Sequence, residues 1–111
     1  MFLRHRYTQS LSANIPNGGT TSQPIRIMDM SRGSIRLPAA ITGTTVSFEV
    51  SLDGTTFAAL NVDPAGTART VQTVAAAGRY TIPSEVFNYP FFRLLMGAQG
   101  AARTIDVYLK S

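Results

Sequence analysis

The stretch that most constrains the fold is residues 44–60, TTVSFEVSLDGTTFAAL. Its first half alternates strictly between apolar and polar residues, as a half-buried β-strand does. Four apolar residues would share one face of this strand: Val46, Phe48, Val50 and Leu52. Asp53 and Gly54 follow at once, and this pair suits the positive φ angles of a tight turn. Because residues 55–60 lead the chain back, the stretch predicts a β-hairpin with one apolar face.

The rest of the chain continues this pattern in shorter runs that are separated by Gly, Pro, Asn and Asp. Further strands are predicted over residues 24–30, 33–37, 67–74, 78–82, 91–96 and 104–110. Residues 83–88 can form one helical turn with Ser84 near its cap position, and no longer helical repeat occurs. Seven or eight short strands without a long helix indicate an all-β protein. We expect an antiparallel β-sandwich of the jelly-roll type, with a small barrel as the alternative.

The length of 111 residues suffices for one domain with one core. Residues 24–111 are predicted to form this domain. Residues 1–23 contain the run ANIPNGGTTSQP, which is rich in turn formers, and are predicted to be an extended N-terminal arm. Since Phe2, Leu3 and Tyr7 are apolar for a solvated tail, the arm packs on its own domain or on a partner, or is simply a frayed terminus.

Composition restricts the compartment and the kinds of site. The chain has no cysteine, which excludes disulfides, thiolate metal sites and thiol nucleophiles and indicates a reducing compartment. The first residues lack the apolar block of a secretory signal, and no run of apolar residues is long enough for a membrane span. We therefore expect a soluble protein without membrane contact.

The net charge of +4 is concentrated at the beginning of the chain. Residues 1–36 contain a single acidic residue, Asp29, and five arginines: Arg4, Arg6, Arg26, Arg32 and Arg36. Residues 37–111 are neutral overall. The planar guanidinium group suits bidentate contacts to carboxylates and phosphates at interfaces, although genomic codon bias explains the excess of arginine over lysine equally well.

No constellation of residues predicts catalysis. His5 is the only histidine and lies in the predicted arm, and the carboxylates of Asp53, Asp63 and Glu85 each have a structural use in a turn, a loop or a helical turn. The glycines fit no phosphate-binding motif. We expect no catalytic residue, no metal ligand and no cofactor, and the few arginines do not predict direct nucleic-acid binding. A β domain of this kind is typical of proteins that bind another surface.

Three segments resemble small head proteins of tailed bacteriophages: FEVSLDGTTFAAL, AAAGRYTIPSEVFNYPFFRLLMG and TIDVYLK. The whole chain is similar to the capsid decoration proteins, also called staple or cement proteins, of the short-tailed epsilon-fifteen type of Salmonella phage. The resemblance implies a jelly-roll-like structural protein of the virion. It would be made in the host cytoplasm, bind the outside of the capsid as a homodimer, and clamp neighbouring subunits of the major capsid protein against the pressure of packaged DNA.

The residues suggest how such a protein could contact the capsid. The arm would order against the capsid lattice, and arginines of the domain would pair with acidic groups there. The candidate capsid-binding residues are Phe2, Leu3, Arg4, Arg6, Tyr7, Arg26, Arg32 and Arg36. The alternative is a carbohydrate-binding or tail-associated adhesion module, for which Tyr80, Tyr89 and Tyr108 are the aromatic residues not assigned to the core or the arm.

Overall fold

The computed structural model describes residues 8–60 and 72–111. These residues form nine strands and one 3₁₀ helix, Ser84–Asn88. The strands are β1 (Thr8–Ile15), β2 (Ile25–Arg26), β3 (Arg32–Arg36), β4 (Thr45–Ser51), β5 (Ala58–Ala59), β6 (Gln72–Thr73), β7 (Arg79–Thr81), β8 (Phe91–Met96) and β9 (Arg103–Lys110). In the part of the chain that is described, no helix has the length and apolarity needed to cross a membrane.

The strands make two antiparallel sheets. The four-stranded sheet has the order β1-β9-β3-β7, and the five-stranded sheet has the order β2-β8-β4-β5, with β6 also paired to β4. The chain alternates between the sheets, so that β9 enters between β1 and β3 while β8 enters between β2 and β4. This double-sheet arrangement is that of a jelly roll. The predicted all-β, jelly-roll-like antiparallel sandwich is confirmed.

The two sheets bury one shared apolar core. The rings of Phe48 on β4 and Phe92 on β8 lie at its centre, with centroids 6.3 Å apart and planes tilted by 47°. Strand alternation supplies the rest of the core, as the sequence predicts for β8 and β9. The buried residues of these two strands are Phe92, Leu94, Met96, Ile105, Val107 and Leu109.

The predicted hairpin forms, but its turn is wider than the sequence suggests. Strands β4 and β5 pair only at Glu49 with Ala59 and at Val50 with Ala58. A tight turn at Asp53 and Gly54 would instead have continued the pairing to Leu52. The prediction that Leu52 faces the core is wrong, since its side chain is 76% exposed.

Ser51 explains the wide turn. Its hydroxyl is buried, donates to Oδ1 of Asp53 at 2.8 Å, and accepts the backbone N–H groups of Asp53 and Gly54 at 3.2 and 2.9 Å. These bonds curl the chain after β4 and turn Leu52 outward. Gly54 has a φ of +81°, as a glycine in such a loop permits.

The structure differs most from the sequence interpretation at residues 8–15. The prediction places them in an arm, whereas they form β1, an edge strand whose ladder with β9 runs without a bulge from Thr8–Lys110 to Ile15–Arg103. Ala13 and Ile15 are fully buried. The strand forms because its alternate residues match the apolar face of β9. Residues 1–7 lie outside the described part of the chain.

For two of the remaining predicted strands, the structure shows only a short strand within the predicted range. Of residues 24–30, only Ile25–Arg26 form a strand, although Ile25 and Ile27 are buried on one side as expected. The described part of the stretch 67–74 contributes Gln72–Thr73. At the 3₁₀ helix the N-cap residue is Pro83 and makes no side-chain cap, so the predicted role of Ser84 is wrong.

Candidate functional site

Alternation on the four-stranded sheet determines which side chains face away from the core. On β9 three residues are buried, and the four residues that alternate with them point outward: Thr104, Asp106, Tyr108 and Lys110. On β3 and β7 the same rule exposes Arg32, Arg36 and Arg79. Nine of the outward side chains of this sheet form what we call the basic face: Ser10, Ser12, Arg32, Ser34, Arg36, Arg79, Asp106, Tyr108 and Lys110.

Strand register places like charges directly opposite each other on the basic face. Arg32 pairs with Lys110 across β3 and β9, and Arg36 pairs with Arg79 across β3 and β7. Directly opposed residues have Cβ atoms about 5 Å apart, and like charges at this spacing destabilise a sheet. Two such pairs on one exposed face therefore cost stability in the free protein, and an acidic partner would remove that cost.

Asp106 neutralises only part of this charge. Its Oδ2 accepts from Nη2 of Arg36 at 2.6 Å and from Nε at 3.0 Å. Both side chains are more than half exposed, so the pair contributes at most about 1 kcal/mol. Arg32, Arg79 and Lys110 make no ion pair with another residue in the described ranges, which leaves three cations for a ligand or partner.

A shallow depression of about 460 Å³ lies within the basic face. Ser10, Ser12 and Ser34 line it together with Tyr108, a residue that is 43% exposed. Small hydroxyl groups between long cationic side chains leave room for an acidic side chain to enter and to accept hydrogen bonds from a planar guanidinium. The geometry suits a wide surface contact better than an enclosed small-molecule pocket.

The candidate residues from the sequence are only partly brought together. Arg32 and Arg36 lie on the basic face, four residues apart on β3. Arg26 lies on β2, in the five-stranded sheet, where it pairs with Phe91. Arg26 therefore cannot contact the same flat surface of a partner as Arg32 and Arg36. Five candidates, and the single histidine, lie outside the described residues: Phe2, Leu3, Arg4, His5, Arg6 and Tyr7.

Sequence reasoning missed the contributions of Arg79 and Lys110 to this site. Alternation in the sequence already indicates that Lys110 points outward from its strand, and Arg79 precedes the inward Tyr80. The missing information is which strands are neighbours, since β7 and β9 come from distant parts of the chain. A charge count over the first third of the sequence therefore understates the cationic character of the face.

The five-stranded sheet carries a second charged cluster, which is internally satisfied. Nε of Arg93 donates to Oε1 of Glu49 at 2.7 Å, and the guanidinium of Arg93 lies 4.4 Å from the ring centroid of Phe57. The ion pair is less exposed than that of Arg36. This cluster is structural, because no charge remains for a partner.

Nowhere in residues 8–60 and 72–111 do three or more His, Asp or Glu side chains come together in a way that could hold a metal ion.

Comparison with known proteins gives structural likeness without sequence likeness. No protein family and no curated protein sequence matches the chain. The crystal structure of the SPBc2 prophage-derived protein YomS matches with a TM-score of 0.70 and 7% identity, over 100% of this chain and 99% of that one. A chain from Bacillus endospore appendages, described as disulfide-linked pili, matches with a TM-score of 0.46 and 14% identity, over 96% and 85% of the two chains. The first of these likenesses shows that the chain has the fold of a prophage-derived protein.

Proposed function

We propose that this protein is a non-catalytic structural component of a bacteriophage particle that binds the outside of the capsid and staples neighbouring major capsid protein subunits. The basic face is its docking surface, and an acidic surface of the capsid protein is its partner. The observation that carries the proposal is the pair of like-charged contacts, Arg32 with Lys110 and Arg36 with Arg79, held in register on an exposed face.

A further observation supports a phage role: a prophage-derived protein has the same fold. The finer role, on the capsid surface, is the one that the resemblance of the sequence implies. Opposed cations destabilise a surface that is exposed only to solvent. An acidic partner instead attracts both cations and speeds the association of the two proteins. Many copies on a symmetric shell add avidity to a contact that is weak in each copy.

The test is co-sedimentation of the purified protein with capsids that lack it, at low and high salt. We expect saturable binding at a fixed ratio to the major capsid protein, weakened as salt screens the charges. Particles that carry the protein should also withstand heating better than bare ones. Absence of binding, or binding that salt does not affect, contradicts the proposal.

Two arginines form a matched pair of variants for this assay. Arg79→Ser removes one charge from the basic face, and Arg26→Ser removes the same charge from the other sheet. Neither side chain makes an ion pair within the described residues. We expect Arg79→Ser to weaken capsid binding about two- to fivefold, as the loss of ~0.4–1 kcal/mol implies, while Arg26→Ser binds normally. Equal weakening would show that the basic face is not the docking surface.

The predicted arm requires its own experiment. Deleting residues 1–15 removes β1 from the sandwich, so lost binding would then reflect lost structure. Deleting residues 1–7 leaves every described strand intact. If the arm orders on the capsid, this shorter deletion abolishes binding while thermal unfolding is unchanged; full occupancy after it excludes a role for Phe2, Leu3, Arg4, Arg6 and Tyr7.

A second candidate function, carbohydrate binding, is favoured by one observation. Tyr108 exposes its ring in the depression of the basic face, next to the hydrogen-bonding groups of Asp106 and Arg36, whereas Tyr80 and Tyr89 pack against the core. Sugars stack on such rings. Glycan-array binding that is lost in Tyr108→Ala and kept in Tyr108→Phe would establish this function in place of capsid docking.

A further inference from the structure

Among the described residues, only Gln23 bonds the outer edge of β1. Side-chain Nε2 of Gln23 donates to the carbonyl of Ser12 at 2.6 Å, and the N–H of Asn14 donates to Oε1 of Gln23 at 2.8 Å. The even-numbered residues of β1 therefore direct their backbone groups away from β9. On this edge, Gln23 occupies the end near Asn14, and no described residue bonds the outward backbone groups of Thr8 and Ser10 or the N–H of Ser12.

This edge lacks the features with which proteins protect a free strand. Its eight residues, TQSLSANI, include no charged residue and no proline, and its ladder with β9 has no bulge. Edge strands without such features are templates for pairing with another strand. The outward side chains of the open stretch are small hydroxyls, so nothing on that face obstructs a neighbouring strand.

We propose that β1 pairs with β1 of a second copy of this chain, antiparallel and centred on Ser10. The centre follows from Gln23, because the open stretch from Thr8 to Ser12 has Ser10 at its midpoint. A two-fold axis there makes Ser10 exchange both backbone hydrogen bonds with Ser10 of the second copy. Each Ser12 N–H then donates to the carbonyl of Thr8 in the other copy.

A buried atom beside the edge supports this pairing. Oε1 of Gln9 is buried and has no hydrogen-bond partner among the described residues. In the proposed register, Gln9 of one copy lies diagonally across from Gln9 of the other. Long side chains reach across this diagonal. When the side chain turns towards the second copy, each Gln9 amide can donate to the oxygen of the other, which then gains the partner that it lacks.

The surface beside the edge also has room for side chains of a second copy. Two shallow depressions of about 200 and 420 Å³ follow the edge on its inner side, and Gln9 and Met28 line both. Met28 is 63% exposed there. The pairing brings Leu11 of the second copy to the inner side opposite Gln9, where it covers this exposed apolar surface. The two four-stranded sheets join into one, and their basic faces become continuous.

The test is sedimentation of the free full-length chain up to about 100 μM, at which a complex with a micromolar dissociation constant is formed. Ser10 faces itself across the axis, so Ser10→Lys and Ser10→Glu each place like charges in contact. We expect the wild type to dimerise and each variant to weaken dimerisation at least tenfold. An equimolar mixture of the two variants should restore the dimer.

Thr45→Lys and Thr45→Glu are the controls, since Thr45 is exposed on a strand of the other sheet. They should dimerise as the wild type does, and all variants should melt alike. The proposal is overturned if the wild type is monomeric, if Ser10→Lys dimerises normally, or if the mixture stays monomeric. No capsid is present in this experiment, so its outcome is independent of the capsid-binding test.

Discussion

Gln99 and Thr42 hold each other through a reciprocal pair of hydrogen bonds. The N–H of Thr42 donates to Oε1 of Gln99, and Nε2 of Gln99 donates to the carbonyl of Thr42, both at 2.8 Å. Nε2 also donates to the carbonyl of Gly97, and Nε of Arg103 donates to Oε1 at 3.2 Å. The Gln99 carbonyl accepts the N–H of Gly18. The buried side chain of Gln99 thus fastens two loops of the sandwich to each other, and its backbone carbonyl holds a third.

Replacing this amide should be costly. Gln99→Leu leaves part-buried backbone groups of Thr42 and Gly97 without partners, and we expect a loss of about 2–4 kcal/mol in the free energy of unfolding. Gln23→Leu is the matched control, because its amide also bonds two backbone groups but is exposed. It should cost less than about 1 kcal/mol in the same urea titration. If the two variants lost equal free energy of unfolding, burial of the Gln99 amide would not be the cause of its stabilising effect.

The basic face predicts a variant that is more stable and less functional. Arg79→Thr removes the repulsion with Arg36 and puts a β-branched residue in a strand, so the free energy of unfolding should rise by about 0.2–1 kcal/mol. Capsid binding by the same variant should weaken. Arg36→Thr is the comparison, since it also removes the ion pair with Asp106 and should gain less. A loss of stability in Arg79→Thr would mean that the guanidinium has a stabilising partner.

Gly33 marks the closest approach of β3 to β9. A Cβ atom there would lie 2.5 Å from the carbonyl oxygen of Tyr108 and 2.7 Å from Cδ2 of Leu109. Since a backbone atom cannot yield easily, Gly33→Ala should destabilise by about 1–3 kcal/mol in thermal or chemical unfolding. Gly97→Ala, which meets nothing within 4 Å, should change stability little.

Asp53 should titrate unusually low. Hydrogen bonds to its carboxylate lower the pKa of Asp53 from 3.8 to about 2. The largest contribution comes from the backbone N–H of Thr56, followed by the N–H of Thr55 and the hydroxyl of Ser51. Because the folded pKa lies below the unfolded one, its contribution to stability is complete above pH 3.8 and is lost as the pH falls towards 2. An NMR titration of its carboxyl carbon should have its midpoint near 2. A midpoint near 3.8 would mean that the loop is open in solution.

Much of the fold follows from alternation in the sequence, and the exceptions have local causes. The inward residues of β8 and β9 are predictable, because nothing within these strands competes with their period of two. At the end of β4 the period breaks, since the hydroxyl of Ser51 bonds the following backbone and Leu52 turns outward. Local side-chain bonds of this kind compete with a ladder and leave no mark on the apolar pattern.

The candidate site could be predicted only in part, because it depends on which strands are neighbours. Arg32 and Arg36 share one strand, and their spacing of four places them on one face. Arg79 joins them because β7 returns beside β3, and Lys110 because β9 does so on the other side. The sequence does not predict strand β1 for a similar reason. Its stretch from Ser10 to Ile15 alternates, but weakly, and its partner lies at the other end of the sequence.

The position of β9 between β1 and β3 fixes the order in which the molecule can fold. Residues 103–110 supply the inner strand to which both neighbours bind, so the four-stranded sheet cannot close until these residues have been synthesised. The five-stranded sheet needs only residues up to 96, apart from the packing of its inner face. Until β9 arrives, the apolar side of that sheet stays open to water and to other chains. A topology with such distant pairings folds slowly, and the chain is most prone to aggregate while β9 is not yet in place.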